Sequence, residues 1–460
     1  MNPSLPGCCP AARRAWAARW TLLLAGLTAA VAHAAAPLGP WAGPQMGLAR
    51  VRTAWQTSLP IRLSASIRSY HLVDGYIYAI ASTGVVYAVR ADTGEYAWAR
   101  KVAEEFEVIW PPVSANLTLT ADEAGAHDVA IGHSMQAVAF SRVRDVLFLD
   151  PQSGAELRRG RLPATNNASV AAAEEWLFQV SPQYRMTCLN ITDGLVEWTA
   201  SANGTLSLAP VYVLGDDTLV VVDDSGSMTA MSSGRMNRFS RQLGARPLGW
   251  LAVDGRNVYV ATMDRILHAV ERVTGDVVWQ YRLADRPEGG PIVTKDAVYQ
   301  ATRNEGLHRI GLERTRPNWR DPAGRAFLAE LPSRVAVLQT GGRIALWDPA
   351  RGELAELLEI CPLADALSNP WNDAILLTNA RGEIRCLRPI GAPALTLADF
   401  RLKPVAAPSV GQPAEQAQPA TQEEAEAETA ASPATEQGPP PSYDEMLLAD
   451  PLRSTRRIEQ

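Results

Sequence analysis

Apolar and polar positions alternate along this chain in short runs with a period of two, and the runs are separated by turns that contain glycine. Gly249 to Leu283, GWLAVDGRNVYVATMDRILHAVERVTGDVVWQYRL, shows the unit most clearly. Its runs NVYVA, ILHAV and VVWQYRL, broken by VDG and by Thr274-Gly275, predict four short antiparallel strands with turns that need left-handed backbone or side-chain caps. One such unit cannot bury its own faces, so copies have to stack. Third strands begin near Val86, Asp145, Arg185, Ser227, Leu267, Leu307, Ile344 and Ile384. After the first interval the spacing stays at roughly 40 residues, the length of a propeller blade. The pattern predicts an all-β, eight-bladed β-propeller of four-stranded antiparallel blades. Seven blades is the alternative, because the second and seventh copies are the least regular.

The eighth copy, NDAILLTNARGEIRCLRP, stops before a final strand, whereas Val51 to Leu59, VRTAWQTSL, matches a final strand with none before it. The N-terminal strand is therefore expected to complete the last blade and close the ring. A tryptophan recurs four residues after the turn glycine position, at Trp98, Trp198, Trp279 and Trp319, with Trp55 as its equivalent in the closing strand. Recurrence at one repeat position predicts one structural job, the docking of blade on blade; Arg158, Arg238 and Glu356 occupy the position in the other copies. Extra sequence lengthens the first interval between Ala103 and His127. There Phe106, Ile109 and Trp110, set among Glu104, Glu105 and Glu107, are the candidate partner contact, an aromatic anchor with an acidic rim. The stretch VIWPPV also reads as the start of the innermost strand of the second blade.

Four regions follow: 1–34 a signal peptide, 35–50 a lead segment, 51–402 the propeller and 403–460 a Pro/Ala/Glu-rich tail. Arg13, Arg14 and Arg19 precede the apolar run from Trp20 to Ala32, and Ala32-His33-Ala34 forms a small-residue cleavage site. The run is about 13 residues, against the about 20 that a membrane span needs. Export to the periplasm or cell envelope without an integral span is the expectation; a retained N-terminal anchor is the alternative. The tail is too poor in apolar residues to fold and is expected to be disordered, with YDEMLLADPL as its one apolar cluster and a candidate partner motif.

With 47% hydrophobic residues the chain can build a large core, and a net charge of −6 gives no global basic field for nucleic acid. Cys8 and Cys9 lie in the signal. Cys188, Cys361 and Cys386 are odd in number and lack metal-ligand spacing, and a Cys361–Cys386 disulfide is the minor alternative to free buried thiols. His71, His127, His133, His268 and His308 are scattered, and the pairs Asp216-Asp217 and Asp223-Asp224 flank turns, where aspartate caps backbone groups. No catalytic, cofactor-binding or metal-binding residue is assigned.

The segments VYAVRADTGEYAW (Val86 to Trp98), LHAVERVTGDVVW (Leu267 to Trp279) and MTCLNITDGLVEW resemble the repeat of the pyrroloquinoline-quinone-like β-propellers. The resemblance covers Val51 to Pro389 and implies eight W-shaped blades around a channel. One branch, the quinoprotein dehydrogenases, holds its quinone with a vicinal disulfide, and the only adjacent cysteines here are Cys8-Cys9. The other, similar to the outer-membrane assembly factor BamB, is non-enzymatic and binds partner proteins; that factor is a lipoprotein, and no lipid-accepting cysteine follows the apolar run here. The implied function is a monomeric exported scaffold or assembly component without cofactor or catalysis, meeting envelope protein partners. The alternatives are a quinoprotein oxidoreductase and a propeller that binds a small ligand or glycan.

Overall fold

The computed structural model describes residues 51–118, 134–173, 175–213, 216–312, 318–359 and 365–401. The chain divides into two units, Met1–Ala407 and Pro408–Gln460, and all described residues belong to the first. The expected signal, lead, tail, Thr315, Cys361, His127 and His133 lie outside the described residues.

The described residues form eight four-stranded antiparallel sheets, the eight blades of a β-propeller. Blades 1 to 7 run in chain order over 67–101, 113–161, 171–201, 211–242, 247–282, 292–321 and 324–359. Blade 8 combines 365–389 with Val51–Ser58 as its outermost strand. That strand pairs antiparallel with Glu383–Pro389, from Val51 opposite Pro389 to Ser58 opposite Glu383. The two ends of the ring thus share one sheet, and no blade is left with an unpaired third strand at the join.

Burial explains the patterns of the strands. In Tyr76–Ala81, the second strand of blade 1, every residue is buried. Side chains alternate across the sheet, so Ile77, Ala79 and Ala81 enter the core shared with blade 8, while Tyr76, Tyr78 and Ile80 enter the core shared with blade 2. Among the described residues the core is eight such clusters, one for each seam between neighbouring blades. Outer strands such as Val277–Arg282 meet a neighbour on fewer atoms, because blades splay apart with distance from the axis, and they alternate exposed with half-buried positions.

The reading of VIWPPV as leading into the innermost strand of blade 2 holds, and one reading, at blade 4, is corrected. The extra sequence after blade 1 is only partly a loop: Val113–Thr118 is the innermost strand of blade 2, paired from Val113 opposite Ala139 to Thr118 opposite Ser134. Residues 119–133 lie outside the described residues. In blade 4 the residue at the tryptophan position is Phe239 rather than Arg238. Phe239 lies opposite Ala230, as Trp98 lies opposite Ala88 and Trp279 opposite Ala269. The turn before it is shorter and its left-handed residue is Arg235, at φ +68°, rather than Gly234, so counting from the glycine misses the register by one.

Candidate partner-binding face and the blade seams

The docking tryptophans reach across seams to the turn of the next blade. Trp98 donates its indole N–H to the Pro151 carbonyl at 2.9 Å, and Trp198 donates to the Ser233 carbonyl at 2.6 Å. Gly154, at φ +69°, is the glycine of the turn that Trp98 covers, and a Cβ there would lie 2.5 Å from the indole. Close approach and left-handed backbone both demand glycine at this point. Trp55 covers Gly94 in the same way, Phe239 covers Gly275, and Trp319 lies 3.2 Å from a Cβ placed on Gly352. Trp319 also stacks on Trp347 with centroids 4.8 Å apart, and Trp279 packs beside Tyr259 in the seam between blades 5 and 6. In most blades a β-bulge in the outer strand precedes the aromatic residue, as at Ala97, opposite Ala88 and Val89, or at Val278, opposite Ala269 and Val270. The extra residue turns the following side chain toward the seam.

The connection between blades 1 and 2 spreads the three candidate contacts over different environments. Phe106 is 74% exposed and holds φ +67°, a left-handed conformation that a bulky L residue rarely adopts. Its ring lies 5.7 Å from the Arg68 guanidinium, a cation–π contact. Ile109 instead packs half-buried on the core between blades 1 and 2. Trp110 is half-buried, its backbone N–H tied to the Ser141 carbonyl at 3.0 Å. Val108, which the sequence reading passed over, is 45% exposed. The acidic rim is itself organised: Glu104 pairs with Lys101 at 2.6 Å and Glu107 with Arg142 at 3.3 Å. Nothing in the local sequence marks Arg68 as the partner of Phe106, because the two meet only when the connection after blade 1 returns to that blade's innermost strand, Ile67–Val73.

Arg68 also lines a cavity of about 330 Å³ bordered by residues of blades 1, 7 and 8 and by the start of blade 6. Tyr70, Glu288, Arg325 and Asp365 share its wall, and Arg325 stands 3.8 Å from Asp365. The lining is of mixed charge.

Several other titratable groups serve the fold. Asp223 accepts hydrogen bonds from the backbone N–H groups of Gly204, Ser225 and Ser227, and Asp217 accepts from Tyr212 and from the Ser233 N–H. His268 is buried beside Thr262 and Gln280. Cys188 and Cys386 are free and buried, on the third strands of blades 3 and 8, and burial pushes each thiol up to about 12. Among the described residues no group of three or more His, Cys, Asp or Glu side chains could hold a metal ion.

A family model described as outer membrane protein assembly factor BamB matches residues 82–237 and 234–362. The chain belongs to this family. Among solved structures, BamB from Moraxella catarrhalis is similar with a TM-score of 0.50 at 13% identity, over 74% of this chain and 99% of that one. The computationally designed Ika8 protein gives a TM-score of 0.53 at 12% identity, over 72% of this chain and 98% of that one. Both likenesses concern the fold. No curated protein matches the chain. Among the described residues no helix is long and apolar enough to cross a membrane. Family membership agrees with the repeat resemblance read from the turn and tryptophan spacing.

Proposed function

We propose that this member of the BamB family is an exported, non-catalytic scaffold or assembly component of the bacterial cell envelope. It presents the connection between blades 1 and 2 to a protein partner. The observation that carries the contact is Phe106: a large aromatic side chain in a strained backbone conformation, exposed to solvent and steadied from one side by Arg68. Strain is retained where surrounding structure enforces it, and aromatic anchors dominate protein interfaces. Val108 extends the apolar surface, while Ile109 and Trp110 fix the connection to the propeller body. The ring supplies rigidity, so the loop pays little ordering entropy on binding.

The test is affinity capture from crosslinked envelope with wild type and Phe106→Ala, read by mass spectrometry. Loss of an aromatic hot spot costs about 2 kcal/mol or more, so recovery of the partner should fall by a factor of about 30 while the melting profile is kept. Equal recovery by both proteins would remove Phe106 from the interface. The quinoprotein reading needs adjacent cysteines near the axis. The described thiols are on separate blades, buried within strands, so the described residues do not fit the quinone's disulfide.

A further inference from the structure

Two seams lack the aromatic plug. Between blades 2 and 3 the position is held by Arg158, which donates to the Ile191 carbonyl at 2.7 Å and to the Thr118 carbonyl at 3.0 Å. Ile191 occupies the same place in its turn as Pro151, so Arg158 reproduces the polar half of what Trp98 does. Among the described residues the apolar half is missing: none lies within 4 Å of a Cβ placed on Gly194, and Leu195 beside it is 64% exposed. Between blades 7 and 8 the position is held by Glu356, and Ile390, just after the third strand of blade 8, is 65% exposed.

The outer strands at these two seams carry opposite charge. Glu156–Arg161 of blade 2 reads ELRRGR, and its one carboxylate is already held by Arg159 at 3.0 Å and by Arg100 at 2.8 Å. Glu353–Glu359 of blade 7 reads ELAELLE, with three carboxylates, no basic residue, and Leu354 and Leu357 exposed between them. Arg343 lies across the ladder from Glu359, so Glu353 and Glu356 hold most of the unbalanced charge. Closure of the ring removes its ends as edges, which is why the sequence reads as a monomer. It leaves each blade's outermost strand with one row of backbone groups facing outward.

We propose that the acidic outer strand of blade 7 in one copy of this chain lies against the basic outer strand of blade 2 in the next. Carboxylates then face guanidinium groups, and the exposed leucines and isoleucine of the two seams are covered. The two strands sit on different blades, so the contact is head-to-tail and propagates into chains or a larger ring instead of closing as a two-fold dimer. Exposed charges bring the edges together, so association strengthens at low ionic strength and weakens with salt.

Light scattering on the full chain tests this, at rising protein concentration and at low and high salt. Wild type should show a mean mass at least twofold above one chain at low salt, returning toward one chain at high salt. Two charge reversals remove the contact: R159E with R161E, and E353K with E356K; Arg158 is left in place because it holds the seam. Each reversed protein alone should scatter as a single chain. An equimolar mixture should associate again, since the acidified blade 2 of one meets the basic blade 7 of the other; rescue also requires that both be folded. Three results overturn the proposal: a wild type that stays at one chain under all conditions, association that salt does not change, or reversed proteins that still associate alone.

Discussion

Burial acts most directly on single side chains at His308. It is buried on the third strand of blade 6 against the Tyr281 ring, 5.9 Å away, with Arg320 across the ladder. Desolvation first, and then the Arg320 charge, lower its pKa to about 4; Glu305 acts weakly the other way. The folded protein keeps this imidazole neutral where the unfolded chain, near 6.5, takes up a proton. Its contribution is therefore intact above about pH 6.5 and is lost as pH falls toward about 4, by about 3 kcal/mol for the full depression. Denaturation midpoints at about pH 7 and about pH 4.5 should diverge less in His308→Leu than in wild type, and an identical divergence would show that His308 titrates normally. In the sequence His308 is one of several scattered histidines. Its meaning comes from Tyr281, a residue of the neighbouring blade.

Among elements, the outer strands show how a repeat tolerates change. The aromatic plug contributes burial of a ring and, in Trp98, a hydrogen bond to the next turn, whereas Arg158 meets that turn through a hydrogen bond to the Ile191 carbonyl. Trp98→Ala should cost about 3–5 kcal/mol, as large buried aromatic truncations do, and Phe239→Ala, at a half-buried position, less than that. Arg158→Ala should cost about 1–3 kcal/mol, the loss of charge-assisted hydrogen bonds at a half-buried site. Urea denaturation of the three variants gives the comparison; equal losses would mean that the aromatic ring adds nothing to the seam. The plug was legible at five positions because tryptophan is rare and recurred at a fixed offset from the turn. Phe239 was hidden by a shorter turn, and Arg158 offered no sign that it would reach the same carbonyl of the next turn. The loop contact was only half legible. The sequence grouped Phe106, Ile109 and Trp110, yet the fold turns Ile109 inward and leaves Phe106 outside.

For the whole molecule, closure is the decisive feature. Each blade contacts only its two neighbours, so an open row would leave one blade without a core on one side and another without its fourth strand. Val51–Ser58 prevents this, and Thr57 on that strand also donates to the Gly94 carbonyl of blade 1. Deleting the strand should therefore lower the melting temperature far more than removing one plug, with loss of cooperativity in calorimetry; an unchanged profile would refute closure by this segment.

The sequence by itself determined the blade, the number of blades and the identity of the closing strand. Those depend on local alternation and on repetition, which are written along the chain. It did not determine which exposed residues share a face, which turn each plug meets, or where opposite charges are displayed. The Arg68–Phe106 contact, the uncovered Gly194, and the acidic and basic edges on blades 7 and 2 appeared only in the ring. Contacts between neighbouring blades join residues tens of positions apart, and those across the closing seam join residues hundreds apart, a separation that a period of two or of forty does not encode.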